Sequence, residues 1–128
     1  MFVVAPQHPF ARRKEATAKE LLSEPFVLRK VGSGTRQIAE RVLLDAGISP
    51  GDLTIALETN SNDAIRGAVK QGTGIGVLSQ AAAQDDIARG RLIAVSVNGV
   101  RARLNTYLLT DPKRIPTPAV AAFLAFLK

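Results

Sequence analysis

Apolar positions recur at two periods along this chain, and the switches between them predict its elements. Phe2 to Ala5 is a short apolar run that reads as a strand. Pro6-Gln7-His8-Pro9 follows as a turn-prone connector, because each proline disfavours helix at the residue before it. Thr17 to Leu22 predicts a short helix, and Pro25 to Arg29 a strand that ends at Gly32-Ser33-Gly34. From Thr35 to Ala46 the spacing becomes helical, with Ile38, Ala39, Val42, Leu43 and Ala46 on one face and Gly47 as the stop. Leu53 to Thr59 returns to alternation, which predicts a half-buried strand with Leu53, Ile55 and Leu57 inward.

The next stretch is the most ordered of all. Asn60, Ser61 and Asn62 offer side-chain oxygens where a helix must satisfy its first free N–H groups. Ile65, Ala68, Val69 and Gly72 then share one helical face, Gly72 and Gly74 end the helix, and Ile75, Val77 and Leu78 form a short apolar strand. A helix from Gln80 to Ala88 closes at Gly90. Strands are expected at Leu92 to Val97 and Leu104 to Thr110, joined by a turn at Asn98-Gly99. Thr117-Pro118 supplies an N-cap and a first-position proline for a last helix, with Val120, Phe123, Leu124 and Leu127 on its expected buried side. Strand–helix alternation of this kind implies an α/β fold, a sheet covered by helices and not necessarily all parallel.

Composition narrows the class. A chain of 128 residues fits one domain with a real core, and 46% hydrophobic with 22% charged residues is ordinary for a globular protein. Without cysteine there is no disulfide framework and no thiolate metal site. The apolar runs are short and broken by charge, so none is expected to span a bilayer. Met1 to Pro6 lacks the basic start and long apolar stretch of a signal peptide, which gives a cytoplasmic expectation. The net charge of +6 suggests nucleic acid, but the basic residues are scattered and no aromatics interleave with them. A solvated surface accounts for them better.

Two polar helix starts carry the candidate chemistry. At Val31-Gly32-Ser33-Gly34-Thr35-Arg36 the glycines allow a tight turn, and Ser33 and Thr35 place hydroxyls where free N–H groups and the helix dipole favour a carboxylate, sulfate or phosphate. The same residues also serve as a plain capped helix start. Asn60-Ser61 repeats the pattern after another strand, so both starts can open on the same sheet edge. Arg36 is expected to lie along its helix in solvent, with reach into the pocket as the alternative.

Other motifs fail on context. Gly72-Thr73-Gly74-Ile75-Gly76 follows a helix and precedes a strand, the reverse of a dinucleotide fingerprint. A helix-turn-helix sought between Gln37 and Ser49 is interrupted by Pro50-Gly51. His8, the single histidine, lies between prolines and beside no nucleophile motif. Asp85-Asp86 has no further acidic ligands at coordinating spacing, so no metal and no cofactor are expected. Nothing supports Lys30 or Lys70 as a Schiff-base nucleophile.

In order and spacing these segments resemble the effector-binding (substrate-binding) domain of LysR-type transcriptional regulators. The resemblance runs through Val3-Val4-Ala5-Pro6, His8-Pro9-Phe10-Ala11, Glu24-Pro25-Phe26-Val27-Leu28, Gly32-Ser33-Gly34-Thr35-Arg36, the Asn60 to Ser79 stretch, Gly90-Arg91-Leu92 and Arg103 to Leu108 with the final helix. It implies a type 2 periplasmic-binding-protein-like fold of two α/β lobes with a small anionic effector between them. Residues from about 7 to 79 would form the second lobe, and residues 1–6 and 80–128 the crossover and the remainder of the first. The ligand-binding residues implied are Ser33, Gly34, Thr35, Asn60 and Ser61, with Ile75 and Gly76 lining the floor.

A complete two-lobed domain needs roughly 200 residues, so the family's winged helix-turn-helix, linker helix and first half of lobe one would precede Met1. DNA would be bound only through that missing helix-turn-helix. Strand edges left unpaired would favour self-association. The function expected is a non-enzymatic ligand sensor. A solute-binding protein or enzyme on the same fold, and a pure dimerisation module, are the competing readings.

Overall fold

The computed structural model describes residues 1–97 and 108–127. Six strands form one sheet in the order β2-β6-β1-β5-β3-β4. They are β1 (Phe2–Val4), β2 (Glu15–Ala16), β3 (Pro25–Arg29), β4 (Thr54–Thr59), β5 (Ile75–Val77) and β6 (Ile93–Val97). The helices are α1 (Phe10–Arg13), α2 (Ala18–Leu22), α3 (Gly34–Asp45), α4 (Asn62–Lys70), α5 (Gln80–Ala88) and α6 (Pro118–Phe126). β3 runs parallel to both β4 and β5, whereas β1 is antiparallel to its neighbours β5 and β6. The sheet is therefore mixed.

Alternation along the central strands divides the core into two layers. Phe2, Val4, Phe26, Leu28, Ile75 and Val77 belong to the layer with Phe10, Leu21, Ala39, Val42 and Leu43, on one side of the sheet. Val3 and Val27 belong to the layer with Ile65, Val69, Leu78, Ala83 and Leu92, on the other. Helices thus cover both faces. Gly76 is what lets α4 come close: a Cβ there would lie 2.5 Å from Val69 Cγ2 and 3.2 Å from Ile65 Cγ2. α4 itself ends where Gly72, at φ +82°, donates to Val69 O while Thr73 donates to Ala68 O, a closure that only a left-handed residue permits cheaply.

The local elements match the sequence pattern closely, but three points differ. β4 is not half-buried: Thr54 to Glu58 are exposed, with Ile55 at 38% and Leu57 at 37%. It is the edge strand, and an extra residue at Ala56 sets Ile55 opposite Phe26 but Leu57 opposite Val27, partners on opposite faces of β3. In α6, Val120, Phe123 and Leu127 are exposed and Leu124 is only partly covered. Every residue from Pro118 to Phe126 is apolar, so periodicity had no polar face against which to define a buried one. β6, which follows α5, pairs with β1 and β2. Finally, α1 and β2 were not foreseen; each is too short to show a period. The expected turn at Asn98-Gly99 and most of the strand from Leu104 lie outside the described residues, and Leu108 to Thr110 carry no regular structure.

Candidate functional site

Because β3, β4 and β5 are parallel, the helices that follow them all begin at one edge of the sheet. Each opens on a serine. Ser33 Oγ accepts from Arg36 N–H at 3.0 Å, Ser61 Oγ from Ala64 N–H at 3.1 Å, and Ser79 Oγ from Ala82 N–H at 3.2 Å. A hydroxyl that accepts a cap bond still has its own O–H to donate. Thr35 stands at the second helical position of α3, half-buried, beside exposed Gly34; Asn60 is exposed just ahead of Ser61. Ser79, a serine directly after an apolar strand, carries the same local signal as Ser33 and Ser61.

Two arginines join the starts of α3 and α4. Arg36, expected in solvent, is buried instead: its Nε donates to Glu40 Oε1 at 2.7 Å, and its Nη1 donates to Glu58 Oε2 at 3.2 Å and to the carbonyl of Arg29 at 2.9 Å. The i,i+4 carboxylate and the neighbouring β4 end together turn the side chain inward, where all its bonds are made at short range. Arg29, the last residue of β3, follows the strand alternation onto the α4 side and donates from Nη1 to Asn62 Oδ1 at 3.1 Å. Its Nε is buried and has no partner among the described residues. Arg29 and Glu58 are not singled out by the sequence pattern, because the contacts Arg36–Glu58 and Arg29–Asn62 join residues 22 and 33 positions apart.

The structure brings Ser33, Gly34 and Thr35 to the same sheet edge as Asn60 and Ser61, on helices that lie on opposite faces. Ile75 and Gly76 it places elsewhere: both are buried within β5, opposite Phe26 and Val27, further from the edge than Arg29. They shape the interior beneath the site rather than an open floor. An open groove of about 720 Å³ between residues 109–117 and α6, lined by Leu109, Ile115, Val120 and Leu124 among others, shares no residue with this edge.

Electrostatics elsewhere is structural. Asp86 on α5 is buried; burial raises its pKa, but Arg91 first and Lys70 next outweigh that and hold it below the ordinary carboxylate value. Arg91 Nε lies 2.6 Å from one Asp86 oxygen, Lys70 Nζ 3.5 Å from the same oxygen and Arg66 Nε 3.7 Å from the other, so the carboxylate ties α4 to the entry of β6. His8 accepts from Phe10 N–H on Nδ1 and faces Glu24 through Nε2, fixing the connector after β1. Among the described residues no group of His, Asp or Glu is arranged to hold a metal, and no helix is long and apolar enough to cross a membrane.

The family model for the LysR substrate binding domain matches residues 1–128. The chain belongs to this family. It is similar to the HTH-type transcriptional regulator CbbR of Rhodospirillum rubrum, 34% identical over 128 residues, which covers all of this chain and 42% of the relative. The regulatory domain of Synechocystis PCC6803 CcmR, solved in complex with 2-PG, superposes with a TM-score of 0.76 at 26% identity, over 98% of this chain and 59% of that one. The periplasmic aliphatic sulphonate binding protein SsuA of Escherichia coli superposes at 0.58 and 18% identity over 73% of this chain and 30% of its own, which shows the shared type 2 periplasmic-binding-protein fold. LysR-type regulators are not enzymes. The chain spans about two fifths of the length of the curated relatives it matches.

Proposed function

We propose that this effector-binding domain senses a small anionic metabolite at the sheet edge where α3 and α4 begin. The observation that carries the reading is the convergence of two serine-capped helix starts at the ends of parallel strands, each cap hydroxyl retaining a free donor. Ser33, Gly34, Thr35, Asn60 and Ser61 would contact the ligand, with Ile75 and Gly76 packed beneath. The likeness to the CcmR regulatory domain, solved with 2-PG, supports a ligand of this size class. In the whole regulator an N-terminal helix-turn-helix would bind DNA, and pairing of subunits would carry the signal.

Isothermal titration of the chain with inorganic phosphate, sulfate and small carboxylates tests the site. Binding that weakens in Thr35→Ala and in Ser61→Asp supports it, and wild-type affinity in both moves the ligand away from these helix starts.

A further inference from the structure

The last helix has the composition of a buried element and the exposure of a surface one. Every residue of α6 from Pro118 to Phe126 is apolar. Its large side chains fall together: Val120, Phe123, Leu124 and Phe126, with Leu127 after them, span about 160° of the helix, and Ala121, Ala122 and Ala125 take the other side. A helix with no polar face is one that packs. Yet Val120, Phe123, Phe126 and Leu127 are exposed, and among the described residues neither core layer includes any part of α6. Leu109 and Ile115, which line the groove of about 720 Å³ together with Val120 and Leu124, are more than nine-tenths exposed and extend the same apolar surface. Single exposed leucines are ordinary, but a continuous apolar patch marks a contact. The core on the two faces of the sheet is closed without it, with Phe26, Leu28, Ile65 and Ile75 fully buried.

We infer that α6 and residues 109–117 form one wall of a second apolar core, closed by the part of the same effector domain that lies outside these 128 residues. The CcmR regulatory domain superposes on 98% of this chain, α6 included, but on only 59% of its own, so about two fifths of a domain of this fold has no counterpart here. The docking chemistry is apolar, because α6 carries no charge and no hydrogen-bonding side chain between Pro118 and Phe126. A wholly apolar face uncovered for part of the time is an aggregation hazard, so its cover belongs to the same polypeptide and stays in place. This wall is independent of the anion site, with which the groove shares no residue.

Thiol labelling tests this, because the chain has no cysteine of its own. Phe123→Cys, on the large face of α6, should react with iodoacetamide at least tenfold more slowly in the regulator that carries the whole effector domain than in the 128-residue chain, with the label located by peptide mass. In the unmodified proteins, the backbone amides of α6 should exchange with deuterium at least tenfold more slowly in the longer form, a readout that needs no substitution. The amides of α4, protected in both forms, are the internal control for folding. Fast labelling and fast exchange of α6 in both forms, with α4 protected, overturn the proposal. Slow rates in both forms, with the 128-residue chain dimeric on sizing and its protection lost on dilution, make a second copy the occupant and overturn it as well.

Discussion

Arg36 donates from Nη1 to the carbonyl oxygen of Arg29 at 2.9 Å, so the first turn of α3 is tied to the last residue of the strand that precedes it. The same nitrogen reaches Glu58 on β4, and Nε reaches Glu40 one helical turn on. One buried guanidinium thus sets the spacing between β3, β4 and α3 at the edge where the ligand is proposed to bind.

Arg36→Ala removes those bonds and leaves the Arg29 carbonyl without this donor. Because Glu40 and Glu58 are partly exposed and water re-solvates them, the loss should be smaller than for a fully buried pair, about 1–3 kcal/mol. Urea unfolding of Arg36→Ala against wild type measures it, and a change within 0.5 kcal/mol, on the order of an ordinary surface substitution, would contradict the buried placement.

Gly76→Ala should destabilise by about 1–3 kcal/mol through overpacking, since the added methyl meets Val69 Cγ2 at 2.5 Å on a helix fixed by Ile65. Gly67→Ala on α4, where a Cβ meets nothing within 4 Å, should be neutral or stabilising, so thermal melts of the pair separate crowding from a general intolerance of glycine replacement.

Asp86 makes stability depend on acid. Its folded pKa lies below the ordinary 3.8, so its contribution is present in full above that value and is lost as pH falls from there through the lower folded pKa. Asp86→Asn should therefore be less stable than wild type at neutral pH, and the gap should narrow below about pH 4. Glu20 is lowered too, chiefly by the Thr17 backbone bond and then by Arg13, so the comparison belongs in an otherwise unchanged background. A gap of constant size from pH 3 to 7 would show that Asp86 is not held ionised by Arg91 and Lys70.

At the ligand edge, Thr35→Ala removes a hydroxyl that caps nothing, and should weaken anion binding about ten- to a hundredfold, the equivalent of roughly 1.5–3 kcal/mol for one bond to a charged group. Ser61→Asp keeps a cap acceptor for Ala64 N–H, and so should hold the melting temperature, while its charge repels the anion. Calorimetric titration beside a thermal melt tells loss of site from loss of fold.

α6 should be nearly silent in the stability of this unit. Phe126 is 83% exposed, so Phe126→Ser should change unfolding free energy by no more than about 0.5 kcal/mol. Phe26→Ala, on β3 between β5 and β4 and fully buried, should cost about 3–5 kcal/mol. Denaturant unfolding of the two variants gives the contrast directly.

Most of the local structure was legible in the residues, because it is made by neighbours. A cap bond joins residues three apart, as Ser33 to Arg36 and Ser61 to Ala64 do, and a helical face repeats every three or four. Hence the strand at Pro25 to Arg29 and the helix at Gln80 to Ala88 are where the pattern put them. The same locality placed Ser33, Thr35, Asn60 and Ser61 at helix starts. Which strand lies beside which was decided only in three dimensions: β1 enters antiparallel between β5 and β6, and β4 falls at the edge, so that its apolar residues stay exposed. Burial of Arg36 needed Glu58 from another strand, and the setting of Arg29 needed Asn62, 33 residues on. Periodicity records how often a side chain faces a given side, but not what stands there; that depends on long-range pairing, which no local pattern encodes.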